Sequence, residues 1–221
     1  MKNYILVVGA LPPPVTGQSL MTRKVVEALD NNAKVINTVN YGSRSPKSFL
    51  FVLRKLPVYL PFCDKIYFTP SRTVTGSFRD VLVIIAALIF RKPIFAHLHG
   101  LDFSALLKEN GMWSKVLCFF YNQVSCFVLL YPAMYTQLSA LKEPKFTVIP
   151  NCFDSTIKSD SMMSKGLFDN ERRTVTYLSN IMSSKGIFEF LKLSEELLKR
   201  NQDLNIAIAG AFLGDDEMTK D

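Results

Sequence analysis

Lys185 and Gly186 stand together where an alternating apolar run, TVTYL, gives way through SNIMSS to a helical pattern, IFEFLKLSEELLKR. A turn that only reverses the chain has no need of a cation at that point. A lysine ammonium supplies a point charge, and a glycine admits close approach of a ligand to the backbone. Ser183 and Ser184 can cap the helix, whose N-terminus favours negative charge. Asn180 sits at the start of the same turn. Together these residues predict a site for a phosphate-sized anion. Taken alone, the segment reads more simply as a solvated lysine beside a helix cap. It is not a Walker A loop, because GxxxxGK[ST] is missing.

Three further stretches carry residues suited to binding. In LPPPVTGQSL (11–20) the prolines stiffen a strand-to-helix loop. Gly17 and Gln18 then open a helix whose free amides can meet an anion or sugar hydroxyls. The competing reading is a rigid connector. The loop is not GxGxxG, so a nicotinamide or flavin fingerprint is absent where one belongs. In HLHGLD (97–102) alternation puts His97 and His99 on one face unless the strand end bends. A neutral imidazole at His99 can hydrogen-bond a hydroxyl or a phosphate, with Gly100 keeping the approach open. Asp102 can orient a histidine or cap the next helix. His97 reads as a satisfied core histidine. An HxH metal site needs at least one more ligand, and none declares itself nearby. VIPNCFD (148–154) reads as a turn at a domain boundary.

Short apolar runs must deliver these loops. YILVV, AKVIN, DKIYF, PIFAHLHG, VSCFVLL and KFTVIP alternate with helical patterns, including a long apolar one that ends at Phe90. Strand–helix alternation predicts an α/β fold: a parallel sheet with right-handed crossovers and helices on both faces. Ligands of such sheets bind beyond the carboxyl ends of the strands, where every loop named above falls. Residues 151–172 are polar and aperiodic and read as a linker. A new unit begins at RTVTYL, continues with a helix whose predicted apolar face is Ile187, Leu191 and Leu198, and adds the strand NIAIA. The predicted division is 1–165, a Rossmann-like domain with its linker, and 166–221, the start of a second. Two strands and one helix do not close a doubly wound core, so the second domain reads as incomplete.

Composition narrows the setting. Residues 1–150 hold 17 Lys and Arg against 7 Asp and Glu, a net of +10; residues 151–221 hold 9 against 12, a net of −3. A basic first part suits an anionic membrane surface or a phosphorylated acceptor. No zinc-finger, RNA-binding or basic-helix signature points to nucleic acid. Cys63, Cys118, Cys126 and Cys152 form no CxxC pair, which fits a reducing cytosol better than a disulfide framework. VLVIIAALIF (81–90) is about half of the ~20 residues that span a bilayer.

PPPVTGQS, HLHGLD, VIPNCFD, YLSNIMSSKG and NIAIAG, in that order and spacing, resemble the family-4 retaining glycosyltransferases of the GT-B fold, most closely the bacterial enzymes of surface-polysaccharide assembly such as lipopolysaccharide O-antigen. The resemblance implies two Rossmann-like domains about a cleft, an acceptor side and a sugar-nucleotide side. It implies transfer of a sugar from a UDP- or GDP-sugar to a glycan or lipid-linked acceptor, with no cofactor and no metal. His99 would lie by the transferred sugar, Gly17 and Gln18 by the donor phosphates, and Asn180, Lys185 and Gly186 at the diphosphate. The implied location is the cytoplasm, peripheral on the inner face of the plasma membrane.

The sequence departs from that family in three places. One loop glycine is replaced by Gln18. Asn180 stands where the family often has arginine. The family's Glu-x7-Glu segment and nucleoside-binding half would fall beyond Asp221, so the 221-residue chain is expected to be inactive by itself. The alternatives are a non-catalytic remnant, a membrane-surface binding module acting through FVLRKLPVYL (51–60), and a sugar-nucleotide epimerase of the same architecture.

Overall fold

The computed structural model describes residues 4–13, 15–39, 46–109, 111–151, 172–201 and 203–212. The chain divides into two compact units, Met1–Phe153 and Asp154–Asp221. The predicted boundary at 165/166 lies outside the described residues.

In the first unit, six strands form one parallel sheet: β1 (Tyr4–Gly9), β2 (Ala33–Asn37), β3 (Cys63–Phe68), β4 (Ile94–His97), β5 (Cys126–Leu129) and β6 (Phe146–Val148). Their order is β2-β1-β3-β4-β5-β6. The chain steps from β1 to β2 on one side, then crosses back to β3 on the other, so the strand order reverses between β1 and β3. The helices are α1 (Gly17–Leu29), α2 (Pro46–Tyr59), α3 (Val74–Ile89), α4 (Phe103–Lys108) and α5 (Gly111–Tyr121). Between β5 and β6 the chain forms a 3-10 segment, Pro132–Leu138. Right-handed crossovers put α1 on the face opposite the others. In agreement, α2, α3 and α5 pack side by side.

Strand parity fixes the two faces. Leu6, Val8, Ile66, Phe68, Ile94, Ala96, Phe127 and Leu129 share one core with Val81, Ile84 and Ala87 of α3. Val7, Tyr67, His97 and Val128 alternate with them, are also buried, and face the α1 side. The helices that follow β1 and β3 are both capped by threonine. Thr16 and Ser19 form a reciprocal capping box at α1, and Thr73 accepts from the Gly76 amide at α3. Each cap is worth about 1 kcal/mol.

The second unit contains β7 (Arg173–Leu178) and β8 (Leu204–Ala209), paired in parallel, with α6 (Ile187–Arg200) between them in sequence. The helix buries Ile187 and Ser194, with Phe190 and Leu197 half-buried, whereas Leu191 and Leu198 are exposed. That corrects the predicted face by roughly one position. Ser194 is small enough to lie against the sheet, and its hydroxyl is satisfied by the Phe190 carbonyl at 2.7 Å.

Candidate functional site at the carboxyl edges of the sheets

Three loops gather at the carboxyl edge of the first sheet. Asn37, at the end of β2, fixes the first: its side-chain oxygen accepts from the amides of Leu11 and Val39 at 3.2 and 3.1 Å. Gly9 packs so tightly that a Cβ there would lie 2.9 Å from Thr69 Oγ1. The ends of β1 and β3 therefore meet at the point where the strand order reverses. The capping box uses the Ser19 amide, leaving the Gly17 and Gln18 amides without a partner among the described residues. Nothing lies within 4 Å of a Cβ placed on Gly17, so the helix terminus opens on free space.

The second loop, after β3, is anchored from within by Asp80 of α3, a fully buried carboxylate. It accepts from the Ser71 amide at 2.6 Å, from the Tyr121 hydroxyl at 2.9 Å, and from the Arg79 guanidinium at 2.8 and 3.1 Å. The Arg79 guanidinium also reaches the Thr69 carbonyl at 3.4 Å. A buried carboxylate with this many donors is compensated on every side.

The third loop follows β4. Asp102 neither orients a histidine nor caps α4 with its side chain; it pairs with Arg72 at 3.6 Å. Gly100 makes room for that pair, since a Cβ would lie 2.7 Å from Asp102 Oδ1 and 2.9 Å from Arg72 Cδ. The rings of His97 and His99 lie 4.1 Å apart at 37°, so the end of β4 does not separate them. Burial holds His97 at a pKa of about 3, with the neighbouring His99 adding to the effect. Burial and then the Arg72 charge hold His99 at about 4. Both imidazoles are therefore neutral at physiological pH. His97 is not the satisfied core residue expected. Its Nδ1 lies 2.6 Å from the Tyr67 hydroxyl, but its Nε2, like that of His99, is buried without a partner.

Gly17, Gln18 and His99 thus share one sheet edge. β1 and β4 are separated only by β3, about 10 Å across two inter-strand spacings. Asn180, Lys185 and Gly186 belong to the second unit. Here Ser183 and Ser184 lie in a 3-10 turn, Ser183–Lys185, that precedes the helix. Gly186 is the N-cap, at φ 77°, a left-handed conformation that favours glycine. That turn geometry is by itself a reason for a glycine here. The Tyr177 hydroxyl closes the turn on the carbonyls of Asn180 and Lys185 at 3.0 and 3.3 Å. Lys185 is exposed and has no carboxylate partner among the described residues. Glu189 occupies the first turn of α6, with Oε2 3.6 Å from a Cβ built on Gly186. An anion at this turn therefore depends on Lys185 more than on the helix amides.

Sequence reasoning missed Tyr67, Arg72 and Asp80. Arg72 sits in a Ser/Thr-rich loop after a strand, a position that marks it for the ligand edge. Tyr67 and Asp80 carry no such signal, because strand register and helix phase bring them to their partners. Among the described residues, no three His, Cys, Asp or Glu side chains cluster as a metal site, and no helix is long and apolar enough to cross a membrane.

The first unit defines a Rossmann-like α/β protein with a parallel six-stranded sheet. No family model matches the chain, and no curated protein matches it in sequence.

Proposed function

We propose that this chain belongs to a retaining glycosyltransferase of GT-B type that moves a sugar from a nucleoside-diphosphate sugar to a glycan or lipid-linked acceptor in surface-polysaccharide synthesis. One observation carries the reading. Four of the five motif stretches run on from the carboxyl end of a parallel strand, each within its own unit: from β1, β4 and, as far as Asn151, β6 in the first, and from β7 in the second; the fifth, NIAIAG, is β8 itself with Gly210 at its carboxyl end. Ligands of doubly wound sheets bind at that edge. In this reading Lys185 neutralises the negative charge that builds on the departing nucleoside diphosphate, an electrostatic role that needs no proton transfer. The free amides of Gly17 and Gln18 face the donor phosphates or sugar. The neutral imidazole of His99 bonds a hydroxyl of the transferred sugar and does not act as a counter-charge.

Titration of the chain with UDP, GDP and their sugar conjugates tests this. Saturable binding is expected, and Lys185→Ala should weaken it about tenfold or more, the worth of a charge-assisted hydrogen bond. Folding should be unchanged, since Lys185 is exposed. Equal affinity in the variant removes the phosphate role.

The same enzyme working on a lipid-linked acceptor would sit at an anionic membrane surface, and α2 supports that placement. The helix carries Lys47, Arg54 and Lys55, no acidic residue, and exposed Leu50, Leu53 and Val58. Sedimentation with anionic vesicles should exceed that with zwitterionic ones and fall in Leu50→Glu/Val58→Glu; equal sedimentation removes the membrane role.

A further inference from the structure

The buried, unpartnered nitrogens of His97 and His99 have no use in the account above beyond the single contact assigned to His99. Three facts define what His97 presents. Its Nδ1 lies 2.6 Å from the Tyr67 hydroxyl. Burial raises the Tyr67 pKa above its ordinary value, so the phenol keeps its proton. His97 is neutral, so one of its ring nitrogens carries a hydrogen and the other does not. A phenol donating to a bare Nδ1 satisfies its own proton, whereas one accepting from Nδ1–H would leave its buried O–H, as well as Nε2, without a partner among the described residues. Nδ1 is therefore the acceptor, and the imidazole proton resides on Nε2.

His97 is 2% exposed, so its Nε2–H is a donor held in the interior with nothing to receive it. Such a group is destabilising when its hydrogen bond is left unmade. The neighbouring ring has the same deficit: His99 Nε2 is buried and unpartnered, in an imidazole whose centroid is 4.1 Å away. His97 belongs to β4, fixed by the sheet. His99 lies past the end of that strand, in a loop, and is only part-buried, so it is the ring that can turn to admit a ligand. Neither ring offers a charge to an anion. Arg72, whose charge acts on His99, is already paired with Asp102. What two neutral imidazoles can satisfy is a hydroxyl, which accepts from one N–H and donates to, or accepts from, the other ring.

We propose that Tyr67 is a positioning residue that locks His97 in its Nε2–H form, and that His97 and His99 together bind hydroxyl groups of a neutral polyol of the sugar class. The identity of the ligand as a sugar rests on the function proposed above; the tautomer does not. The pair forms a hydroxyl-recognition element in which His97 supplies the fixed donor and His99 the movable partner.

The chain has only two histidines, so its imidazole signals separate cleanly. Long-range proton–nitrogen NMR on the labelled chain should show His97 protonated at Nε2 and bare at Nδ1 near neutral pH. Tyr67→Phe keeps the ring and removes the hydroxyl, and should turn His97 into a tautomer mixture while Trp113 fluorescence stays native. Titration with glucose, galactose and mannose should shift both Nε2 signals saturably for at least one sugar. Inorganic phosphate and pyrophosphate should not shift them. Tyr67→Phe should weaken that sugar's binding about tenfold. His97→Gln retains an N–H near the same place and should keep part of the affinity, whereas His97→Phe should lose it. A bare Nε2 in the wild type, a response to phosphate in place of sugar, no saturable shift with any of the three sugars, or an unchanged affinity in Tyr67→Phe each overturns the proposal. Nucleotide binding at Lys185 is read separately, so failure of the histidine pair leaves the donor reading standing, and loss of the donor reading leaves the tautomer result standing.

Discussion

Acid should loosen the first unit at a pH well above that at which carboxylates take up protons. In an unfolded chain, His97 and His99 would titrate near their ordinary value of 6.5; in the fold they are held at about 3 and about 4. The sign follows from linkage. Below pH ~6.5 the unfolded chain binds protons that the native state refuses, so falling pH favours unfolding. Each histidine contributes a stability that is fully present above its unfolded pKa and is lost as pH falls from there toward its folded value. The slope is about 1.4 kcal/mol per pH unit per group. Between about pH 6.5 and about pH 5 that amounts to up to about 2 kcal/mol each and about 4 together, a large share of the ~5–15 kcal/mol that holds an ordinary domain. Trp113, the only tryptophan, lies in α5 with its Nε1 bonded to Ser77 Oγ at 2.8 Å and its ring stacked on Phe78. It therefore reports the first unit. Urea unfolding followed at Trp113 from about pH 7.5 down to about pH 5 should show a midpoint that drops steadily below ~6.5. Replacing both histidines by glutamine should flatten the dependence. A midpoint that stays level across that range, or a slope that survives the double replacement, refutes the buried neutral pair.

Asp80→Ala should cost the first unit about 3–5 kcal/mol, because it strands the Ser71 amide, the Tyr121 hydroxyl and the Arg79 guanidinium together; a loss under about 1 kcal/mol in the same urea experiment would mean that the carboxylate is not the anchor. In the second unit, Gly210→Ala would drive a Cβ into the Ser179 carbonyl oxygen. Amide exchange at Ser179 and Ile181, which donate to the carbonyls of Ala209 and Ala211, should accelerate, with the first unit unaffected; unchanged protection there would show that the turn yields at no cost.

The sheet of the first unit is plain in the sequence where strands are buried on both faces. YILVV and PIFAH are unbroken apolar runs ended by Gly9 and by the histidine loop, and the structure uses both as inner strands. The packing of α6 is less legible. Its apolar residues extend around much of the circumference, including exposed Phe188, Leu191, Leu193 and Leu198, so periodicity alone does not choose a face. A two-stranded sheet selects the side where Ser194 permits close approach, a choice made by shape. The histidine pair was visible as two letters, but its state was not. The register that sets Tyr67 against Phe95 and Phe68 against Ala96 brings the Tyr67 hydroxyl to His97, and inter-strand register is invisible in one sequence. The helix cap at Gly186 was hidden for a related reason: serines beside a glycine suggest hydroxyl capping, while the left-handed turn shows only in φ.

Asp80 holds the loop after β3 through the main chain of Ser71, not through anything that loop shows to solvent. Any residue other than proline at that position can supply the same amide. The outward side chains of the loop are thereby spared the work of anchoring it, which leaves Arg72 its pairing with Asp102 across the rim. Evolution can rewrite what this rim says to a ligand, one substitution at a time, while the clasp underneath stays shut.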